Sequence, residues 1–260
     1  MKTPAPTAAR NGFSLAEVLV VISIIILLIV ILMPSLSRAR EQARSVVCLS
    51  QLSQIGAGAA MYRNNNRDWL PISPAEKLSP GAGEHGRKVA VLTTCHWGGR
   101  RAEWLHGGSS ETEPGPETEI RPLTPYLYPG ADLDASTPVF RCPSDRATDW
   151  SDALIPNAPI YRVCGNSYYI NMFGESPFPA RPTTSSTSSA VLYMEAPLYF
   201  LLASGERGNG WHGRYATHNL LFLDLHAAGL YVDSRERSGP KWTVSDFLAM
   251  DGFYPSRRGG

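Results

Sequence analysis

The sequence lacks an excess of charge of either sign: 24 basic side chains are balanced by 23 acidic ones, leaving a formal net charge of +1. A nucleic-acid-binding surface needs a clear basic excess, so no nucleic-acid partner is predicted. The four cysteines have no C-x-x-C spacing, which argues against a zinc ribbon or a dithiol redox motif. The 23 glycines and 21 prolines predict many turns and loops rather than a helical bundle.

Enzymatic motifs are also scarce. Ser167 and Ser204 lie in no nucleophile-elbow sequence. Glu195 ends a predicted strand, where a solvated or hydrogen-bonded carboxylate is a simpler interpretation than a general base. The sequence therefore predicts a protein that is not an enzyme.

One long apolar run is present near the N-terminus. Residues 1–12 are polar and include the basic Lys2 and Arg10, whereas residues 13–33 are almost wholly apolar. A helix of that length measures about 30 Å, enough to cross the hydrocarbon core of a bilayer. Basic residues before the span hold that end in the cytoplasm, so the rest of the chain is expected outside.

Two ordinary kinds of membrane segment account poorly for this run. A secretory signal would be shorter and would end at a small-residue cleavage site, but here Pro34 and a polar helix follow. A plain signal anchor does not explain Glu17, because a carboxylate inside an apolar span costs a few kcal/mol and usually marks a function.

The segment Gly12-Phe13-Ser14-Leu15-Ala16-Glu17 resembles the prepilin cleavage and methylation motif of type IV pilins and type II secretion pseudopilins. The resemblance implies that a prepilin peptidase cuts between Gly12 and Phe13 and methylates the new amine of Phe13. It also implies that Glu17 neutralises the amine of a neighbouring subunit in a filament. Pro34 stands where pilins carry a helix-kinking proline.

The resemblance divides the chain into four parts: a leader (1–12), a transmembrane helix (13–34), its amphipathic continuation (35–66) and a β-rich head (67–260). The expected location is the bacterial inner membrane, with one span, a cytoplasmic N-terminus and an extracytoplasmic head, or a filament. The expected partners are prepilin peptidase, other pilin or pseudopilin subunits and inner-membrane lipid.

The continuation of the helix carries an apolar stripe. Its members recur at four-three-four-three spacing: Cys48, Leu52, Ile55, Ala59 and Tyr62. This spacing predicts one helix from about Ser14 to about Arg63, bent near Pro34, that lays the stripe on a sheet. The predicted fold is α+β, with a long N-terminal membrane-spanning helix packed by its C-terminal half on an antiparallel β-sheet head with long loops.

Short β-rich runs separated by turn clusters supply the strands of that sheet. The strand candidates are Lys88–Thr94, Pro138–Arg141, Tyr161–Val163, Ser167–Ile170, Ala190–Glu195, Asn219–Leu223 and Gly229–Val232.

A second resemblance covers most of the head. The chain is similar to the large pseudopilin-like families abundant in planctomycetes and their relatives. The matching segments are 48–56, Tyr62, 69–71, 121–123, 140–145, 167–171 and the C-terminal Asn219-Leu-Leu-Phe222-Leu-Asp224-Leu-His226. The C-terminal signature of these families is a histidine, nine residues, then Asp-Gly. This chain departs from it at Arg214, in place of the histidine, and at Leu225, in place of the glycine. These motifs identify a family and not a biochemical activity.

Two groups of residues are weak candidates for a metal, and no cofactor is otherwise expected. His212, His218, Asp224 and His226 offer imidazole and carboxylate ligands to zinc, although their spacing matches no standard zinc motif. The simpler interpretation is a hairpin in which Asp224 bonds its own turn. Asn64, Asn66 and Asp68 alternate like the oxygen ligands of calcium. Asparagine-rich tracts also end helices routinely.

The four cysteines allow three pairings. An even count on an oxidising side of the membrane predicts at least one disulfide. Cys48 lies on the apolar stripe and Cys142 follows a candidate strand, so Cys48–Cys142 is the first choice. That pairing leaves Cys95–Cys164.

The first hypothesis is a structural subunit of a type II secretion or type IV pilus-like filament, formed after leader cleavage and N-methylation. The alternative is an extracytoplasmic binding module tethered by a prepilin-type anchor. A surface hydrolase on the same anchor has the least support. An assembly ATPase and a prepilin peptidase encoded beside the gene would favour the first.

Overall fold

The computed structural model describes residues 15–68, 70–71, 97–100, 121–132, 134–146, 158–171, 187–236 and 238–244. The helices in chain order are α1 (Leu15–Asn65), α2 (Thr124–Leu127), α3 (Ile160–Cys164) and α4 (Ala196–Ser204), with a 3-10 turn at Pro138–Phe140. The strands are β1 (Tyr168–Ile170), β2 (Val191–Glu195), β3 (Thr217–Phe222), β4 (Ala227–Tyr231), β5 (Ser238–Gly239) and β6 (Trp242–Thr243). Gly12, Phe13, Cys95 and the strand candidate Lys88–Thr94 lie outside the described residues.

The helix α1 runs without interruption through Pro34, so the prediction of a single helix that ends near residue 63 is confirmed. The bend at Pro34 stays a prediction. The chain divides into two compact units, residues 1–42 and residues 43–260.

In the first unit, the large apolar side chains of α1 are exposed, from Leu15 at 84% to Leu36 at 48%. The helix is long and apolar enough to cross a membrane. Such a surface is stable in an apolar environment and not in water, because exposing apolar area to water costs about 25 cal/mol per Å².

In the second unit, the later turns of α1 enter the core. Cys48, Leu52, Ile55 and Ala59 are fully buried, which confirms the stripe read from their spacing. Tyr62 is half-buried and packs edge-on against the ring of Tyr126, with centroids 5.5 Å apart.

The strands β1 to β4 form an antiparallel sheet in that order, as predicted for the head. Tyr168 pairs with Glu195, Met194 with Leu220, and Leu220 with Ala228. The two remaining strands, β5 and β6, form a separate antiparallel pair.

Each face of the sheet is covered by a helix. On one face, Leu221 reaches the backbone of α1 at Gly56, where an added Cβ would lie 3.1 Å from its side chain. On the other face, Tyr169 packs edge-on against Tyr199 of α4, with centroids 5.2 Å apart. Because successive side chains of a strand point to opposite faces, the sheet presents one set of residues to α1 and the other to α4.

The strand predicted at Tyr161–Val163 is wrong, because those residues belong to α3. The carboxylate of Asp145 accepts the backbone N–H groups of Ile160 and Tyr161 at 2.9 and 2.6 Å, which satisfies the open N-terminus of that helix. At the other end, Gly165 has a φ of 75°, a left-handed conformation that ends a helix. Pro138–Arg141 is likewise a 3-10 turn rather than a strand.

Candidate functional site

The N-terminal processing site is only partly described. Gly12 and Phe13 lie outside the described residues, so cleavage and methylation stay predictions. Glu17 occupies the first turn of α1, where the positive end of the helix dipole favours a carboxylate.

A second candidate site lies inside the head. Four side chains of different elements, Cys48, Cys142, Glu195 and His212, bring one ligand atom each to within 4.8 Å of one another. We refer to these four residues as the Cys-His-Glu cluster. Cys48 comes from the buried face of α1 and Glu195 from the end of β2. The other two come from turns.

The turn that carries Cys142 is held by Asp145. Its backbone N–H donates to the carbonyl of Cys142 at 3.0 Å, and its carboxylate accepts the hydroxyl of Ser167 at 2.6 Å. Burial raises the pKa of Asp145 to about 6, even though Ser167 and the two backbone donors of α3 stabilise the charged form. The turn that carries Cys142 is therefore tied through Asp145 to Ser167 and to the N-terminus of α3.

Within the cluster, His212 is the central group. Its Nε2 lies 2.9 Å from Oε1 of Glu195 and 3.7 Å from Sγ of Cys142. The side chain of His212 is 6% exposed and that of Glu195 is fully buried. A buried carboxylate is costly unless charge or hydrogen bonds compensate it, so this pair is held by its surroundings.

The two oxygens of Glu195 differ. Oε1 accepts a hydrogen bond from Nδ2 of Asn219 at 2.8 Å as well as facing His212. Oε2 is buried without a hydrogen-bond partner. Asn219 in turn contacts Ser45 of α1, with Oγ 3.3 Å from Nδ2.

The sulfurs of Cys48 and Cys142 are joined in a disulfide, with the Cα atoms 5.4 Å apart. This is the pairing that the sequence analysis placed first. The second pairing falls partly on Cys95, outside the described residues. Its proposed partner Cys164 is buried, with Sγ 3.1 Å from the hydroxyl oxygen of Tyr169.

The zinc set named from the sequence is not assembled among the described residues, and that interpretation needs correction. His212 joins the Cys-His-Glu cluster instead. Asp224 accepts the backbone N–H of His226 at 3.2 Å and faces its Nδ1 at 2.6 Å, because both lie in the turn between β3 and β4. His218 is buried with no hydrogen-bond partner for either ring nitrogen, and burial together with nearby His212 lowers its pKa to about 4.

The three calcium candidates, Asn64, Asn66 and Asp68, take part in the end of helix α1 instead, as the simpler interpretation proposed. Asn66 donates from Nδ2 to the carbonyl of Tyr62 at 2.8 Å. The carboxylate of Asp68 pairs with Arg63, whose Nε donates at 2.7 Å. Asn64 lies in the last turn of α1. The alternation of oxygen-bearing residues is therefore explained by the end of the helix.

Glu195 was expected to be solvated or hydrogen-bonded. It is hydrogen-bonded by Asn219, but it is also fully buried, which was not expected. One signal was available, since Glu195 ends an otherwise apolar strand and is followed directly by Ala196 and Pro197 at the start of the apolar helix α4. A carboxylate bounded on both sides by apolar residues that fold into the core must be buried with them.

Comparisons with known proteins find no match for this chain among family models, curated proteins or solved structures. Functional proposals for it therefore depend on its motifs and on the geometry of its described residues.

Proposed function

We propose that this protein is a structural subunit of a type II secretion or type IV pilus-like filament, assembled after a prepilin peptidase removes residues 1–12 and methylates Phe13. The observation that carries the proposal is the helix α1. It exposes a predominantly apolar surface from Leu15 to Leu36, and its later residues, such as Leu52, are buried in the core of the head. A single helix of this kind serves both as an anchor and as a packing element.

The position of Glu17 supports the same proposal. It is the acidic residue of the first turn of α1, inside the apolar run. Cleavage before Phe13 would create an amine close to that turn, and a cation beside the carboxylate would offset the cost of placing it in a bilayer or a helical bundle. In a filament, the amine of a staggered neighbour would set the axial register.

The test compares Glu17→Ala with Gly12→Ala in full-length protein expressed in a bacterium that carries the assembly machinery. Gly12→Ala should block leader removal, which intact mass spectrometry of membrane protein detects. Glu17→Ala should insert and be cleaved normally, because it makes the span more apolar and leaves the cleavage position intact, but methylation or recovery in sheared filaments should be lost. Glu41→Ala, a change of another acidic residue of α1 beyond the apolar run, is the matched control.

Two outcomes would contradict the proposal. A mature chain that begins at Met1, or near residue 35, would show that the prepilin interpretation of the N-terminus is wrong. Normal filaments from cleaved Glu17→Ala would remove the assembly role of that residue. If the processed wild type forms no filament and stays in the membrane, the alternative of a tethered extracytoplasmic binding module is favoured.

A further inference from the structure

The Cys48–Cys142 disulfide does not explain why the carboxylate of Glu195 is buried beside it. That carboxylate is fully buried, one oxygen has no hydrogen-bond partner, and the other faces His212 at 2.9 Å. A disulfide carries no charge, so the two sulfurs beside this pair do nothing to offset it. The same sulfurs as thiolates would complete a set of four ligands around a cation.

We propose that the Cys-His-Glu cluster is a redox-gated binding site for a thiophilic divalent cation, best fitted by zinc, which forms when a dithiol reductant opens the Cys48–Cys142 disulfide. Two thiolates, an imidazole and a carboxylate are the ligand types that zinc takes in four-coordinate protein sites. Calcium and magnesium prefer oxygen ligands alone, so the two sulfurs select against them.

The distances are close to those around a tetrahedral ion, although the 2.9 Å between Nε2 of His212 and Oε1 of Glu195 would have to lengthen on binding. Ligand atoms around tetrahedral zinc lie about 3.3 to 3.8 Å from one another, given bonds of about 2.0 to 2.3 Å. His212 Nε2 lies 3.7 Å from Sγ of Cys142, and all four ligand atoms lie within 4.8 Å of one another. Breaking the S–S bond lets the sulfurs separate, which is the main movement that the site requires.

The surroundings also suit a metal. Asn219 donates a hydrogen bond to Glu195 at 2.8 Å and is itself placed by Ser45 of α1, so the carboxylate is oriented by an outer shell. The four ligands come from α1, β2 and two turns. A bound ion would therefore take over the cross-link that the disulfide provides in the oxidised protein.

The reductant dithiol gives two electrons and two protons and becomes a disulfide. The S–S bond of Cys48–Cys142 breaks, and each sulfur receives one electron and one proton. Zinc then displaces both protons to solvent as it binds the two thiolates, together with Nε2 of His212 and one oxygen of Glu195.

The first experiment measures zinc in the full-length protein in detergent micelles, freed of metal with a chelator. One sample is reduced with a phosphine, which opens disulfides without offering a thiol ligand, and the other is left oxidised. After zinc addition and gel filtration, the reduced protein should retain one more equivalent of zinc than the oxidised protein. Cobalt(II) in place of zinc should give the sulfur-to-metal charge-transfer absorption of a thiolate site.

The second experiment locates the ion. Zinc should slow alkylation of Cys48 and Cys142 in the reduced protein, measured by peptide mass, and leave alkylation of Cys95 and Cys164 unchanged. His212→Asn should weaken zinc binding at least about tenfold, the usual loss even for outer-shell changes. His226→Asn is the matched control, since His226 also faces a carboxylate, Asp224, but lies in a turn outside the cluster.

Several results would overturn the proposal. One is a reduced wild-type protein that binds no extra zinc, whether it stays folded by circular dichroism or unfolds without rescue by zinc. Another is a His212→Asn variant that is folded in its oxidised form and, once reduced, binds zinc as tightly as the wild type does. Protection of Cys95 and Cys164 in place of Cys48 and Cys142 would assign the ion to a different site.

Discussion

The two units of this protein differ in which side chains face the outside. Residues 15–42 expose their large apolar side chains, with Leu27 at 61%, whereas the head buries polar ones, with Glu195, Asn166 and Asn171 fully inaccessible. The first unit therefore depends on its surroundings for stability, and the head depends on its own apolar core, hydrogen bonds and cross-links. Substitutions in the two units should accordingly disturb different properties.

Removing the disulfide should have the largest effect on the head. The bond closes a loop with a sequence separation of 94, for which the loss of unfolded-state entropy corresponds to about 4 to 5 kcal/mol. Cys48→Ala should lower the free energy of unfolding by that order in the presence of a chelator. Guanidinium titration followed by tryptophan fluorescence measures it, because all six tryptophans lie after residue 42.

The control compares the two single cysteine variants with the double variant. Cys48→Ala, Cys142→Ala and the double variant should lose similar amounts, since each removes the same bond. Ser50→Ala, at an exposed position of α1, should change the free energy by less than about 0.5 kcal/mol. A double variant that loses the sum of the two single losses would show that packing, and not the cross-link, is responsible.

Local sequence signals were sufficient for α1 and for most of the sheet. The prediction that Cys48, Leu52, Ile55 and Ala59 form one buried face of α1 is confirmed. A helical period that continues over several turns is a stronger signal than the type of any single residue. α4 was missed although Pro197 and Gly205 mark its ends, because its residues are apolar all round and give no period.

Of the Cys-His-Glu cluster, only the Cys48–Cys142 pair was predicted, and the addition of Glu195 and His212 to it was not. Its members come from positions far apart in the chain, and nothing near Cys48 in sequence indicates that His212 lies beside it. Only Glu195 carried a local signal, the conflict between a charged side chain and an apolar strand. Proximity between distant segments depends on sheet order and register, which periodicity does not encode.

Side chains from the motifs that resemble the pseudopilin-like families connect separate segments of the head. Arg121 is buried and donates to the carbonyls of Gly98 and Cys164 at 2.8 and 2.7 Å. Asn171 donates to the carbonyl of Val191 at 2.8 Å, and Asp145 caps α3. These side chains satisfy backbone groups at a turn, at both ends of α3 and at the start of β2, which explains why the motifs suggested no chemistry.

A smaller effect should appear when the pH is lowered. The pKa of His218 is lowered to about 4 in the folded head, so between pH 6.5 and pH 4 the unfolded chain binds a proton that the folded chain does not. Its contribution to stability is therefore complete above about pH 6.5 and falls by about 2 kcal/mol at pH 5. The raised pKa of Asp145 acts in the opposite direction, because its folded carboxyl binds a proton below about pH 6.

The His218→Leu variant separates the two groups. It removes the histidine contribution and leaves that of Asp145, so its stability should rise from pH 7 to pH 5 where the wild type changes little. Urea unfolding at both pH values measures the difference, and the exposed His226→Leu should follow the wild type. Equal pH dependence in wild type and His218→Leu would mean that His218 takes up its proton in the folded head as readily as in the unfolded chain.

The smallest effect on the head should come from Leu27→Ala, which tests the comparison between the two units most directly. Leu27 and Leu52 are the same residue type in the same helix, but Leu27 is 61% exposed and Leu52 is fully buried. Leu52→Ala should lower the free energy of unfolding of the head by about 2 to 5 kcal/mol, because it leaves a cavity in the core. Leu27→Ala leaves no cavity in the head, so its unfolding free energy should stay within about 0.5 kcal/mol of the wild type. Tryptophan fluorescence in denaturant reports on both variants, and a loss above about 1 kcal/mol in Leu27→Ala would show that the apolar part of α1 supports the head instead of depending on its own surroundings.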